Sequence, residues 1–417
     1  MHDFAVAWEW VGFGVRWLHI VTAIAWIGSS FYFIALDLGL TKRPGQPEGV
    51  TGEEWQVHGG GFYHVNKYAV APAAMPEHLT WFKWESYATW LSGATLLAIV
   101  YWAGAEMFLI DPAKADLSIG QAIGVSALSL TLGWLLYDAL CRSPLRTNPT
   151  LVMIVLWAGL TAIGWAYTQV FTGRAALLHL GALTATIMTA NVFLVIMPNQ
   201  RIVVGDLKRG ATPDPEYGRI AKLRSTHNNY LTLPVIFLML SHHNPLATST
   251  RYNWVIASLV FLLGVVIRHW FNTRHTQKTA PVTAGPTWTW PVAATILVVI
   301  AWLSTAPDLS LAEAQARTQA ARVPPRTERT AALEAHPLFE RASAIVQGRC
   351  AMCHALEPTW QGLIAPPKGV VLQTPDEIAR QASEVYLQAA RSRAMPPANL
   401  SGMTDEERAV LRAWFEG

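Results

Sequence analysis

Long apolar stretches separated by polar loops dominate the first three quarters of the chain. A transmembrane helix needs about 20 mostly apolar residues to cross the hydrocarbon core of a bilayer. Eight windows meet this requirement: residues 9–33, 85–104, 119–140, 150–171, 177–197, 228–241, 253–271 and 288–306. The sixth window is short and contains Pro234, so its helix is either broken or begins deeper in the preceding loop. The pattern predicts an all-α, polytopic bundle of about eight spans.

Aromatic residues mark the ends of these windows, as is typical of a membrane interface: Trp8, Trp10, Trp84, Trp102, Trp254 and Trp288. The N-terminal stretch has no Lys or Arg before its apolar core, and that core is longer than in a signal peptide. We therefore expect an uncleaved first span.

The positive charges of the loops predict the orientation of the bundle. The loops that follow spans one, three, five and seven contain 14 Lys and Arg residues, whereas the N-terminus and the other loops contain 3. Because cytoplasmic loops carry the excess of Lys and Arg, both termini are expected outside. This orientation predicts a multi-pass protein of a bacterial inner membrane with periplasmic termini. The lipid bilayer is therefore one of its expected partners.

The composition changes after the last window. All but two of the 19 Trp residues lie before residue 303, and the last part of the chain resembles a soluble sequence. Residues 1–306 are predicted to form the membrane domain, 307–335 a charged and partly helical linker, and 336–417 a separate domain. With 52% hydrophobic residues, 14% charged residues and a net charge of +3, the chain has no basic patch suited to nucleic acid.

The C-terminal domain contains the C-x-x-C-H motif Cys350-Ala-Met-Cys353-His354, which is typical of covalent attachment of a c-type haem. Two thiols on one helical turn reach the two vinyl groups, and the adjacent imidazole binds the iron. Met395 is the preferred sixth ligand because two prolines stiffen the loop after it, and Met403 is the alternative. Capping boxes at Thr374 and Thr404 predict two helices in a class I-like cytochrome c domain. Cys141 stands alone and is interpreted as a structural residue.

Polar residues inside the predicted spans are functional candidates because their burial in lipid is costly. They are Arg16, His19, Asp138, His179, Asn191, Arg268 and His269. His19 and His179 would form a bis-histidine site for a non-covalent b-type haem, and His242 and His243 are possible substitutes. The alternative is that these histidines are satisfied by neighbouring helices.

Two clusters on the predicted inner side suit a planar heterocycle. The first contains His58-Gly-Gly-Gly-Phe-Tyr-His64 and the following segment 75–85, whose candidates are Glu77, His78, Lys83 and Glu85. Glycines allow a close approach of the backbone to a ligand, and aromatic rings stack on it. The alternative is an interfacial loop with aromatic anchors. The second cluster offers amides and a cation that suit the edges of a purine: Asn199, Gln200, Arg201, His227, Asn228 and Asn229.

Four stretches resemble the membrane-bound, cytochrome c-linked urate oxidases, the urate hydroxylase PuuD family. They are residues 16–33, HGGGFYH at 58–64, MPEHLTWFKWE at 75–85 and ANVFLVIMPNQ at 190–200. The resemblance covers essentially the whole chain. It implies an eight-span domain fused to a cytochrome c, and oxidation of urate to 5-hydroxyisourate with electrons passed to cytochrome c. It also implies haem ligation by Cys350, Cys353, His354 and Met395.

On this interpretation, His78 with Glu77 or Glu85 acts as the acid/base set, and His64 is a further catalytic candidate. Lys83, Asn199, Gln200, His227 and Asn228 are the candidates for binding urate. A downstream cytochrome c oxidase or a soluble cytochrome would accept the electrons. Two alternatives come from other classes: a quinol-oxidising respiratory module that reduces cytochrome c, and a transporter with a tethered redox sensor.

Overall fold

Each predicted window of the membrane part contains a helix. The computed structural model describes residues 2–68, 70, 75–276, 285–305, 324–360, 363 and 366–417. The helices are α1 (His2–Gly39), α2 (Trp84–Leu97), α3 (Ile119–Arg142), α4 (Pro149–Val170), α5 (Gly173–Ala190), α6 (Pro215–Ser241), α7 (Asn253–Thr276) and α8 (Thr289–Thr305). Shorter helical turns are Ala105–Phe108, Pro144–Thr147 and Pro245–Thr248.

Five helical segments of the described chain are long and apolar enough to cross a membrane: Val6–Gly39, Ile119–Arg142, Pro149–Val170, Gly173–Lys208 and Asn253–Arg274. Helices α2, α6 and α8 do not meet the same measure of length and hydropathy, so the count of eight spans stays a prediction. Helix α6 begins at Pro215, deep in the preceding loop, and runs through Pro234 without a break. Of the two possibilities for the sixth window, the structure therefore shows the deeper start.

Two helices extend through a wider π-helical turn. Helix α2 continues through Ala98–Trp102, and α5 continues through Asn191–Ile196 into the helix Met197–Lys208. Helix α5 lies at the centre of the bundle and packs against α3, α4 and α6. Helix α7 packs against α6, α8, α4 and α1, while α1 also packs against α2. These contacts close the bundle around α5 and α6.

A β-hairpin follows α1, at a place where the sequence analysis predicted a loop of an all-α protein. Strands β1 (Val50–His58) and β2 (Gly61–Tyr68) pair antiparallel, and the turn uses Gly59 and Gly60 at φ 59° and 78°. A two-residue hairpin turn of this kind requires positive φ, which glycine adopts without strain. Two of the three glycines interpreted as a site of ligand approach therefore form a turn instead.

The C-terminal unit is a smaller group of helices. It contains α9 (Glu328–Glu334), α10 (Phe339–Arg349), α11 (Pro375–Arg380), α12 (Asp405–Glu416) and the turns Pro367–Gly369, Ala382–Val385, Tyr386–Arg391 and Pro397–Asn399. The predicted capping boxes are present at Thr374 and Thr404. Trp414 is buried in the core and its Nε1 donates to the carbonyl of Leu333 at 2.9 Å. Part of the predicted linker thus packs on this unit, while residues 307–323 lie outside the described chain.

Candidate functional site

A cavity of about 710 Å³ lies at one end of the bundle, between α1, β2, the segment before α2, the extension of α5, α6 and α7. Its polar and aromatic lining residues are Asp37, Lys67, Thr80, Trp81, Gln200, Tyr217, Lys222, Ser225, Thr226, Asn229, Tyr230 and Asn272. These residues come from the loops after spans one, five and seven, or from the helix ends beside them. The structure therefore brings three of the predicted inner loops to the same end of the bundle.

The walls of this cavity combine apolar side chains with a few convergent polar groups, as ligand sites generally do. The Lys67 Nζ forms an ion pair with Asp37 Oδ1 at 2.5 Å. A smaller cavity of about 180 Å³ shares Ile34, Ile196, Gln200 and Ser225 with the larger one. Gln200 thus faces both spaces, which together have the dimensions of a small-molecule site.

A buried polar network stands behind the smaller cavity, and it links three helices of the bundle. Arg224 donates to Asp138 at 2.5 Å and to Asn191 Oδ1 at 3.1 Å. Asn191 Nδ2 donates to Asn228 Oδ1 and to the Tyr137 hydroxyl, both at 2.9 Å. Because each buried polar group here has a partner, the network holds α3, α5 and α6 in one arrangement.

The residues of the second predicted cluster occupy different positions. Gln200 lines the cavities, as expected for a substrate ligand. Asn228 lines the smaller cavity, but its Nδ2 donates to the Met188 carbonyl and its Oδ1 accepts from Asn191, so both ends of its amide are used. His227 lies 2.8 Å from the Tyr137 hydroxyl and lines neither cavity, and neither does Asn199.

The first predicted cluster stays outside the cavities. Glu77 and His78 are exposed and Glu85 is half-buried, and none of the three is a lining residue. Lys83 lies over the Trp84 ring at 5.3 Å and does not line a cavity either. The chain around them does contribute, because Trp81 lines the larger cavity and Phe82 the smaller one.

His64 belongs to the hairpin rather than to the cavity wall. It stacks on Trp55 at 4.1 Å between ring centroids, and its Nε2 lies 3.0 Å from Glu53 Oε2. The hydrogen bond from His64 holds the pKa of Glu53 below its usual value, with Arg43 adding to the effect. These contacts give His64 a structural role in the hairpin.

The two histidines proposed for a b-type haem lie against different helices. His19 Nδ1 lies 3.0 Å from the Thr89 carbonyl of α2. His179 is fully buried, and it uses Nδ1 for the Ala175 carbonyl and Nε2 for the Ser126 hydroxyl, each at 2.8 Å. Both nitrogens of His179 therefore have protein partners, which favours the structural interpretation for this residue.

The other candidates in the spans also have protein contacts. The rings of His242 and His243 lie 3.8 Å apart, and His242 Nδ1 is 2.6 Å from the Met239 carbonyl. His269 lies near Trp288, with ring centroids 5.9 Å apart. Within the described residues, no group of three or more His, Cys, Asp or Glu side chains is arranged to hold a metal ion.

In the C-terminal unit, the haem motif follows α10 directly. The backbone NH groups of Cys353 and His354 donate to the Cys350 carbonyl at 3.1 and 2.9 Å, so the motif continues as a helical turn. His354 Nδ1 donates to the Val370 carbonyl at 3.0 Å, which leaves Nε2 as the nitrogen available to a haem iron. Burial lowers the pKa of His354 and thus favours the neutral imidazole, the form that can bind a metal. Burial and the neighbouring Cys353 raise the pKa of Cys350 to about 11.

Two methionines lie near this motif in the sequence, and they differ in burial. Met403 is 3% exposed and packs inside the core of the unit. Met395 is half-buried, and its backbone is held by Gln388 and by Arg408, each at 2.9 Å. The two thiols, the imidazole and a thioether on an anchored loop form a donor set that fits a covalent c-type haem.

Sequence reasoning overlooked part of the cavity lining. Lys222 and Asn272 belong to no motif, and Asp37 lies at the end of an apolar span, so no signal in the sequence sets them apart. Asn229 belongs to the second predicted cluster, but it is not among the residues that the sequence favours for binding urate. These residues become candidates because separate helices bring them together.

A family model described as urate oxidase N-terminal matches residues 5–304, which include all the cavity residues. No curated protein and no solved structure matches the chain. Since the matched region spans more than half of the sequence, the chain belongs to the urate oxidase N-terminal family.

Proposed function

We propose that this chain is a membrane-bound urate oxidase that binds urate in the 710 Å³ cavity and delivers its electrons to a c-type haem on the C-terminal unit. The observation that carries the proposal is the family match over residues 5–304. The conversion takes urate and one water to 5-hydroxyisourate, and it releases two electrons and two protons. The downstream acceptor would be a cytochrome c oxidase or a soluble cytochrome.

The chemistry of the cavity suits urate, which is a planar anion with several oxygen atoms. Trp81, Tyr217 and Tyr230 offer aromatic surface for a flat ring. Gln200 presents an amide that pairs with the donor and acceptor edge of a purine. Lys67 is paired with Asp37, so Lys222 supplies the excess positive charge of the lining, and this charge favours an anionic ligand.

Proton removal belongs, in this proposal, to a group that lines the cavity. Asp37 is the carboxylate in its wall, and Lys67 holds it in place at 2.5 Å. A general base must lie within hydrogen-bond reach of the proton that it takes. We therefore prefer Asp37 to His78, Glu77 and Glu85, which do not line the cavity.

In the C-terminal unit, Cys350 and Cys353 would hold the haem covalently, and His354 and Met395 would ligate its iron. When bound, this haem supplies a one-electron acceptor whose potential the Met and His ligands raise. The unit lies outside, in the periplasm of a bacterial inner membrane, according to the excess of positive charge in the opposite loops.

The deciding experiment adds urate anaerobically to the purified, oxidised protein and follows haem c by absorbance. We expect urate to reduce the haem, and the pyridine haemochrome spectrum to show a c-type haem. Gln200→Leu should slow this reduction at least tenfold because it removes the amide from the cavity. Gln169→Leu is the matched control, because Gln169 lies at the C-terminal end of α4 and lines neither cavity.

Reduction by a quinol but not by urate would replace the proposal with the quinol-oxidising alternative. Flux of urate into vesicles without its consumption would instead support a transporter.

A further inference from the structure

We infer that Asn229 of α6 is a fixed hydrogen-bond donor for an acceptor atom of the ligand in the 710 Å³ cavity, and that Arg268 and Asn272 of α7 are its positioning residues. This inference rests on the proposed function, because it takes that ligand to be urate. The sequence offers Asn229 only as one of several amides that suit a purine, and its contacts with α7 give it this particular role.

The three side chains form a closed arrangement between α6 and α7. Arg268 Nε donates to Asn229 Oδ1 at 3.2 Å, and Arg268 Nη2 donates to Asn272 Oδ1 at 3.0 Å. Asn272 Nδ2 donates to the same Asn229 Oδ1 at 3.0 Å. One guanidinium thus orients two amides, and the second amide supports the first.

This arrangement determines which end of the Asn229 amide is left for a ligand. A guanidinium only donates hydrogen bonds, so the Asn229 atom that accepts from Arg268 must be the amide oxygen. The Asn229 NH₂ group is therefore turned away from Arg268. Asn229 is fully buried and lines the cavity, and its Nδ2 has no hydrogen-bond partner within the described part of the chain.

A buried donor without a partner lowers the stability of a protein, so one that persists beside a cavity points to a ligand. The partner must be an acceptor, which for a purine is a carbonyl or enolate oxygen or an unprotonated ring nitrogen. An exocyclic amino group in the same place would meet a second donor. Asn229 therefore selects for an acceptor on that edge of the ring.

Charge strengthens this selection. Arg268 is buried and stacks over Phe31, with 4.3 Å between its Cζ and the ring centroid. No carboxylate pairs with it among the residues that the structure describes, so its charge is balanced only by the two amide oxygens. The guanidinium polarises the Asn229 amide, which makes the NH₂ group a stronger donor to an anion.

The test measures binding of radiolabelled urate to the intact, oxidised protein by equilibrium dialysis in detergent. Asn229→Asp keeps the size of the side chain and its contact with Arg268, but it presents an oxygen to the cavity instead of a donor. We expect urate to bind at least tenfold more weakly, since a donor to a charged group is lost. Asn244→Asp is the matched control, because aspartate caps the following helix as well as asparagine does.

This experiment distinguishes a failure of the proposed function from a failure of the role assigned to Asn229. If the unmodified protein binds no urate, the proposed function is wrong and this inference falls with it. If the unmodified protein and Asn229→Asp bind urate equally, the inference alone is wrong. Haem content and thermal unfolding establish that each variant is assembled.

A second measurement tests the positioning role and does not depend on Asn229→Asp. Arg268→Gln should weaken binding in the unmodified background but have no further effect in an Asn229→Ala background, because it acts only through that amide. Equal effects in both backgrounds would show a general structural role for Arg268 and would overturn the positioning assignment.

Discussion

Asn228 and Asn229 are neighbours in the chain, but they face different surroundings because successive residues of an α-helix point about 100° apart. Asn228 turns toward Asn191 and the Met188 carbonyl, which use its whole amide. Asn229 turns toward α7, where Arg268 and Asn272 take only its oxygen. A one-residue difference thus separates a structural amide from one with a free donor.

The assignment of the sixth haem ligand is also decided at single residues. Met395→Leu should remove the charge-transfer band of Met-ligated ferric haem and lower the reduction potential, because the thioether raises that potential. Absorbance and redox titration of the purified protein measure both effects. Met403→Leu is the control, since a leucine of similar volume fits the core position that Met403 occupies. Loss of the band in Met403→Leu alone would assign the ligand to Met403 instead.

Helices α6 and α7 approach closely at one glycine. A Cβ atom at Gly264 would lie 2.5 Å from Cδ and 2.7 Å from Cγ of Pro234, both in a rigid ring. Small residues allow membrane helices to pack backbone to backbone in this way. Gly264 leaves room on α7 for the ring of Pro234, and this contact joins the two helices that carry Asn229 and Arg268.

We expect Gly264→Ala to destabilise the bundle by about 1–3 kcal/mol, the typical cost of overpacking. Thermal unfolding in detergent measures the effect. Gly159→Ala on α4 is the matched control, because no atom lies within 4 Å of its added methyl group. The control should be neutral or slightly more stable, as alanine favours a helix over glycine. Equal stability of the two variants would contradict the close contact.

Helices α10 and α12 are joined by an ion pair next to the haem motif. Arg349 donates to Glu407 through Nε at 3.0 Å and Nη2 at 2.9 Å, and Glu407 also completes the capping box of α12. The guanidinium of Arg349 holds the pKa of Glu407 below its usual value. Both side chains are partly exposed, so the pair contributes about 1 kcal/mol or less.

The pH dependence of this pair follows from the direction of the pKa shift. Because Glu407 has a lower pKa in the folded state, its stabilising effect is present above the usual pKa of a glutamate. The effect is lost as the pH falls through the lower folded value. Arg349→Leu should therefore destabilise the C-terminal unit more at pH 7 than in strong acid, where only the hydrogen bond from Arg349 to the Ser401 carbonyl is lost. The shift of the haem Soret band in urea measures the stability. A constant difference at all pH values would contradict this role for Glu407.

At the scale of the whole molecule, the cavity and the haem motif are predicted to lie at opposite sides of the membrane. The loops around the cavity carry the positive charge, whereas the span before the C-terminal unit is predicted to end outside. Under the proposed function, this arrangement would separate the site of urate binding from the site of electron delivery.

This topology predicts that a cysteine introduced into an outer loop is labelled from outside the membrane, whereas one in an inner loop is not. Asp116→Cys should react with a membrane-impermeant maleimide in intact spheroplasts, because its loop is expected outside. Lys208→Cys should react only after the membrane is permeabilised. Both positions are exposed, and the native Cys141 is buried. In the haem-loaded protein Cys350 and Cys353 would be blocked as thioethers, so the signals come from the new thiols. Labelling of Lys208→Cys in intact spheroplasts would reverse the orientation.

The sequence by itself determined the positions of the helices, the capping boxes of the C-terminal unit and the haem motif. These are local features, because hydropathy, helix caps and a C-x-x-C-H turn depend on residues within one or two turns of each other. The hairpin at 50–68 is also encoded locally, by Gly59-Gly60 between two runs with strand character. It was not predicted, because these glycines were interpreted as a contact for a ligand rather than as a turn.

Only the tertiary structure decided which polar residues surround the cavity. Lys67, Gln200, Asn229 and Asn272 are far apart in the chain, and they meet because α1, α5, α6 and α7 pack around one space. The same packing leaves His78 and Glu77 exposed, and it gives both ring nitrogens of His179 hydrogen-bond partners within the protein. A side chain's neighbours across helices depend on the rotation and depth of each helix in the bundle, and a linear pattern does not contain that information.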